Sequence, residues 1–152
     1  TCGLFDEQFE GMRMGDGEFG LRAHRAGILS ISNPEAKRIH LKVAQGGLRQ
    51  MGSWDALRPT NIFNPRPIPS VLYLAKLHFG KSVALCYLLT SVPFSLSPYS
   101  WKSSLKGNIL SLLLLFLLFP VIVMQVSRSW LIAISLIREG PKIEPFRTLE
   151  LK

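Results

Sequence analysis

The sequence predicts a mostly α-helical membrane protein, with one or two transmembrane helices and a small, loosely ordered N-terminal region. Three observations predict it. The stretch 109–126 (ILSLLLLFLLFPVIVMQV) carries no charge, and its only polar side chains are Ser111 and Gln125. Residues 82–100 form a second uncharged run, diluted by Pro93, Pro98 and five serines. Residues 1–68, by contrast, are polar, glycine-rich and mixed in charge.

The stretch 109–126 is the principal element. Eighteen helical residues span roughly 27 Å, close to the hydrocarbon thickness of a bilayer. A core helix of a soluble protein shows a polar face, and this stretch is apolar all round. The sequence therefore predicts a transmembrane helix over 109–127. Pro120 should kink it, because proline removes an N–H donor and crowds the preceding turn. Arg128 and Trp130 form a cation–aromatic pair of the kind that marks a head-group boundary, and Lys102 and Lys106 mark the opposite one. Residues 128–152 then read as an interfacial segment and basic tail. A second placement, 116–137, puts Arg128 inside the span, where an ionisable residue is functional by default.

Upstream, residues 70–100 read as a helix and a first membrane segment. Ser70 is the expected cap, and the helix either stops at Gly80 or continues through the uncharged run. If both segments cross, Lys76 and Lys81 flank one end and Arg128, Arg138, Lys142 and Arg147 the other, against Lys102 and Lys106 in the loop. That hairpin satisfies the positive-inside rule with both termini inside.

Residues 58–69 (RPTNIFNPRPIP) hold four prolines and predict an extended linker. The N-terminal arm, 1–57, contains one predicted amphipathic helix at about 33–45. Asn33 or Ser32 caps it, Pro34 opens it and Gly46-Gly47 stops it. Lys37, Arg38 and Lys42 lie off its apolar stripe, as contacts for lipid or an acidic partner. Glycines at 11, 15, 17 and 20 predict no stable helix in the first part of the arm.

Charge excludes some functions. The chain has a net charge of +8. Residues 1–66 supply nine Lys/Arg against seven Asp/Glu, and residues 67–152 supply nine against three. The excess therefore surrounds the apolar segments, which suits anionic lipid and argues against nucleic acid as a partner. Cys2 and Cys86 form no CxxC pair, and Cys86 is expected to be a buried free thiol. His24, His40 and His78 fall in no metal-ligand spacing, so no metal or other cofactor is expected. GDGEFG and GGLRQMG lack the GKS/T of a phosphate-binding loop. Cys2-Gly3-Leu4-Phe5 resembles the opening of class II glutamine amidotransferases, but Thr1 precedes the cysteine and the chain is too short for that domain.

No nucleophile–base pair is evident, so the sequence argues against an enzyme. The expected function is that of a non-catalytic accessory or structural subunit of a larger membrane complex, partnered by the bilayer and other subunits. An organellar inner membrane and the endoplasmic reticulum both suit it. Thr1 in place of Met is expected at a processed N-terminus or a fragment boundary. Arg128, Gln125 and Pro120 motivate a second reading, a small oligomeric channel or transporter component. The weak core patterning of residues 1–60 motivates a third, a translated frame with a fortuitous apolar run and no defined activity.

Overall fold

Prolines open two of the helices, a glycine closes one of these, and the Ser104 side chain caps the start of another. The computed structural model describes residues 2–37, 59, 61–96 and 104–145. Among these it contains four α-helices: α1 (Gly15–Arg25), α2 (Pro69–Phe94), α3 (Leu105–Leu117) and α4 (Phe119–Glu139). A 3-10 turn, Glu7–Phe9, precedes α1. No strand occurs among the described residues, only one antiparallel bridge between Asp6 and Ile143. The chain forms two units, Thr1–Gly52 with Lys142–Lys152, and Ser53–Pro141.

The first unit is tied together by backbone and carboxylate hydrogen bonds. Leu4 N–H donates to Glu144 O at 2.9 Å and Glu7 N–H to Lys142 O at 3.0 Å. The Asp6 carboxylate accepts from Gln8 N–H at 3.0 Å and from Lys142 N–H at 2.9 Å. Gly3 sits at φ +67°, and a Cβ there would lie 2.5 Å from Ile143 Cγ2. Only glycine therefore lets the segment at Ile143 approach so closely.

Helix α1 corrects the expectation of an unstructured glycine-rich arm. Glu18 is fully buried, and its carboxylate accepts from Arg22 Nε at 2.9 Å and Arg22 Nη2 at 3.0 Å. Arg22 also donates to the carbonyls of Cys2 and Leu4. That four-residue spacing closes a helical turn, and Phe19 stacks on Phe5 with centroids 4.6 Å apart. The hydrogen bond to Glu18 is the main reason the guanidinium pKa rises above its ordinary value, although partial burial opposes it. Of the helix expected at 33–45, residues 33–37 form a turn in which Asn33 Oδ1 accepts from Glu35 N–H at 3.0 Å. The remainder of that helix lies outside the described residues.

In the second unit, Pro69 occupies the first turn of α2 and Ile68 is its N-cap. Ser70 is thus not the cap; its hydroxyl is buried inside the unit. Helix α2 continues past Gly80 but bends there, at φ 86° and ψ 174°, a region that only glycine enters readily. Cys86, expected to be buried, is exposed.

The stretch expected to form one helix over 109–127 is divided. Leu118 leaves the helical region at φ −99° and ψ 12°, ending α3 and starting α4. Pro120 supplies the reason: it has no N–H for the carbonyl of Phe116, and its ring crowds that turn. It stands instead in the first turn of α4, where the donor would be unused. Helix α4 then runs without interruption through Arg128 to Glu139. Among the described residues it is the one helix both long enough and apolar enough to cross a membrane.

Candidate functional site

The side chains that converge in the second unit come from the proline-rich segment and one face of α4. Asn61 starts the arrangement. Its Oδ1 accepts from Phe63 N–H and its carbonyl from Asn64 N–H, both at 3.0 Å, forming a turn. The chain then passes Pro65 and the cis Arg66–Pro67 bond before entering α2 at Pro69. With few N–H donors of its own, this segment offers carbonyls to its neighbour.

Helix α4 supplies the donors. Gln125 Nε2 donates to Ile62 O at 2.8 Å, and Arg128 Nη1 donates to Phe63 O at 2.7 Å. Ser129 Oγ donates to Pro67 O at 2.6 Å. In return, Arg66 Nε donates to Gln125 Oε1 at 3.0 Å, while its Nη1 donates to Ser95 Oγ at 2.5 Å. Gln125 is 3% exposed and Ser129 fully buried. The segment predicted as an extended linker is therefore fastened along α4 by at least four of these side-chain hydrogen bonds, and to Ser95 at the end of α2 by the fifth.

Beside this seam lies a cavity of about 220 Å³. Arg66, Asn61 and Gln125 contribute its polar lining, while Leu118, Val121 and Ile122 rise from the α3–α4 bend to form an apolar wall. Among the described residues, no Asp or Glu lines it. The described part of this unit is basic as a whole: Arg66, Lys76, Lys81, Lys106, Arg128 and Arg138 stand against Glu139.

Burial in α3 and α4 is inverted relative to a water-soluble bundle. Helix α3 buries Gly107 and Ser111, and α4 buries Ile122, Gln125, Ser129 and Ala133. The outward positions are large and apolar: Phe116 is 84% exposed, Leu117 70% and Leu112 64%. Helix α2 is mixed: Leu89 is 78% exposed and Ser91 buried, but Leu72, Tyr73, Leu88 and Val92 are buried as well. The buried hydroxyls of Ser70 and Ser91 have no hydrogen-bond partner among the described residues. In water, an unsatisfied buried hydroxyl costs about 1–3 kcal/mol, and apolar exposure on this scale is uncommon for a monomer.

The residues singled out from sequence are distributed as follows. Arg128 lies inside α4 and donates to Phe63 O; Trp130 lies two residues further along the same helix, with Lys76 Nζ over its ring at 4.3 Å. Lys106 is exposed in the first turn of α3, and Pro120 is next to the break. Lys37 is exposed, whereas Arg38, Lys42 and Lys102 lie outside the described residues. The structure brings Arg128 and Trp130 into one region and leaves Lys37 in the other unit. Sequence reasoning missed Arg66, Ser95 and Ser129. One signal was available, the small or polar recurrence Gln125, Ser129, Ala133 at helical spacing in an apolar helix.

Among the described residues, no group of three or more His, Cys, Asp or Glu is assembled as metal ligands would be. No family model, curated protein or solved structure matches the chain.

Proposed function

We propose that the protein is a non-catalytic integral membrane subunit that fastens itself within a larger membrane complex. The observation that carries this reading is the inverted burial: Gln125, Ser129 and Ser111 face inward while Leu112, Phe116 and Leu117 face outward. Lipid tails cover outward leucines without penalty, and helices in lipid associate through small and hydrogen-bonding side chains. The crossing segment is taken as 107–127, uncharged between Lys106 and Arg128. Its twenty-one residues would rise about 31 Å, matching a bilayer core despite the bend at Leu118. This register leaves Arg128, Trp130 and Lys76 together at one head-group boundary, where a cation–aromatic pair is favoured. Taking α4 alone as the span would place Arg128 near the midplane, at a cost of about 2.5–3.5 kcal/mol.

The partner reading draws on the outward apolar residues of α2, α3 and α4, which present more surface than one short span requires. Blue-native electrophoresis after mild detergent extraction of carbonate-washed membranes tests both parts. Retention in the washed membrane and migration within a larger assembly are expected. Release by carbonate would overturn the membrane assignment, and a lone monomer the subunit assignment. A channel component is the second reading, favoured by the buried Gln125 and Ser129 beside Arg66. It requires conductance that changes in Arg128→Leu.

A further inference from the structure

We propose that Lys76, Trp130 and Lys81 seat the phosphodiester head of an anionic phospholipid, with the phosphate at the Lys76 ammonium. The proposal rests on the membrane reading for its setting, and deepens it by naming the class of lipid that this part of the second unit takes.

The Lys76 ammonium is held in place but not neutralised. Its Nζ stands over the Trp130 ring at 4.3 Å, and both residues are half-buried. A ring face attracts a cation but offers no oxygen, and an ammonium carries three N–H donors. Among the described residues, no oxygen accepts from Lys76; stacking on Trp130 is its one polar contact. The charge that acts on it is that of Lys81, which repels. Lys81 is exposed and forms no ion pair among the described residues. Two cations thus share one stretch of α2 without an acid. An anion at Lys76 offsets both its partial desolvation and its repulsion from Lys81.

Three features select an anionic lipid as the source of that anion. The first is depth. In the proposed register the crossing ends at Ser127, so Trp130 lies about 4.5 Å further out. The head-group layer extends roughly 5–7 Å beyond each side of the hydrocarbon core, which places the ring and its ammonium among the lipid phosphates. The second is charge. A zwitterionic head would bring its own cation towards Lys81, and the ring face that could stack a quaternary ammonium is occupied by Lys76. The third is the apolar surface. Phe79, between the lysines, and Leu131, next to Trp130, are exposed, and they suit an acylated phosphate better than a fully hydrated free one. The ring also restrains the long lysine side chain, so less rotamer freedom is lost on binding.

Calorimetric titration of the full chain in a neutral detergent tests this. The probes are dihexanoyl phosphatidylglycerol, dihexanoyl phosphatidylcholine and inorganic phosphate. Phosphatidylglycerol should bind at least about tenfold tighter than either of the others. Lys76→Gln should lower that affinity about tenfold or more. Trp130→Leu keeps every charge but releases the ammonium, and should lower it about fivefold, which diffuse attraction to a basic surface would not do. Lys76→Arg keeps both charge and stacking and should retain the preference. Lys106→Gln, an exposed cation on α3, is the charge-matched control and should change affinity by less than about threefold. Equal affinity for phosphatidylcholine or for inorganic phosphate would overturn the proposal. So would a preference that survives either Lys76→Gln or Trp130→Leu, one that Lys76→Arg loses, or a loss in Lys106→Gln as large as in Lys76→Gln. Flotation with phosphatidylcholine vesicles separates the two readings. A chain that floats but shows no anionic preference loses only the site, and one that binds phosphatidylglycerol without floating loses only the membrane assignment.

Discussion

The two units bury polar groups in opposite ways. In the first, the interior is ionic: the Glu18 carboxylate meets the Arg22 guanidinium, and Asp6 gathers two backbone N–H groups. Among the described residues its buried apolar side chains are few, Phe9 and Ala23, beside the stacked Phe5–Phe19 pair. In the second, the interior of α3 and α4 is neutral and hydroxyl- or amide-rich, and the large apolar side chains point outward. The lesson concerns solvent. Charged hydrogen bonds can organise a small water-exposed unit that has too little surface to bury for a conventional core. An interior of Gln, Ser and Gly with Leu outside is the arrangement that the proposed bilayer setting would stabilise.

The comparison is broken most severely by removing the ionic interior. Glu18→Ala would leave the partly buried Arg22 with the carbonyls of Cys2 and Leu4 and the Cys2 sulfur, and with no carboxylate in contact. Breaking a buried pair costs about 3–5 kcal/mol, and the partial exposure of Arg22 places this variant at about 3 kcal/mol. An isolated helix of eleven residues is marginal without such support. Amide exchange of residues 15–25 in the full chain should accelerate about a hundredfold, while amides of α4 keep their protection. Unchanged exchange in α1 would show that the ion pair does not organise the first unit. The neutral interior should respond less. Gln125→Leu improves helix propensity and apolarity, yet removes the hydrogen bonds to Ile62 and Arg66, and should lower stability by about 2 kcal/mol. Thermal unfolding in detergent would register it; a more stable variant would mean that the seam contributes only shape.

Particular residues show what was legible in advance. The apolar run and its proline were readable, because neither depends on a distant partner. The division at Leu118 was not assigned, since composition cannot distinguish a kinked helix from two helices sharing a turn. The role of the proline-rich segment was hidden for a different reason. Its carbonyls are satisfied by Gln125, Arg128 and Ser129, at separations of more than sixty residues, and no local pattern encodes such pairing. For the cavity, Gln125 stood out as a polar residue in an apolar stretch, but Arg66 looked like one more linker cation. Helix α1 was misjudged on glycine propensity. The counter-signal was present, Glu18 four residues before Arg22, but its strength depends on full burial of the carboxylate.

That misjudgement yields the smallest expected effect, one opposite in sign to the others. If α1 is held by its ion pair against the cost of its glycines, removing one glycine without disturbing a contact should stabilise the first unit. Gly20 meets the condition: it is helical, exposed, and a Cβ there would meet nothing within 4 Å. Gly20→Ala should therefore add about 0.5–1 kcal/mol, visible as slower exchange across residues 15–25. Gly15 provides the contrast. Its added Cβ would lie 3.2 Å from Phe9 Cβ, so Gly15→Ala must shift one of the few apolar contacts in this unit and should return little or none of that gain. Equal stabilisation by both would show that propensity alone limits α1. A gain at Gly20 alone would locate the limit in the packing of Phe9, and would make the ionic unit as demanding of its few apolar contacts as the second unit is of its buried amide.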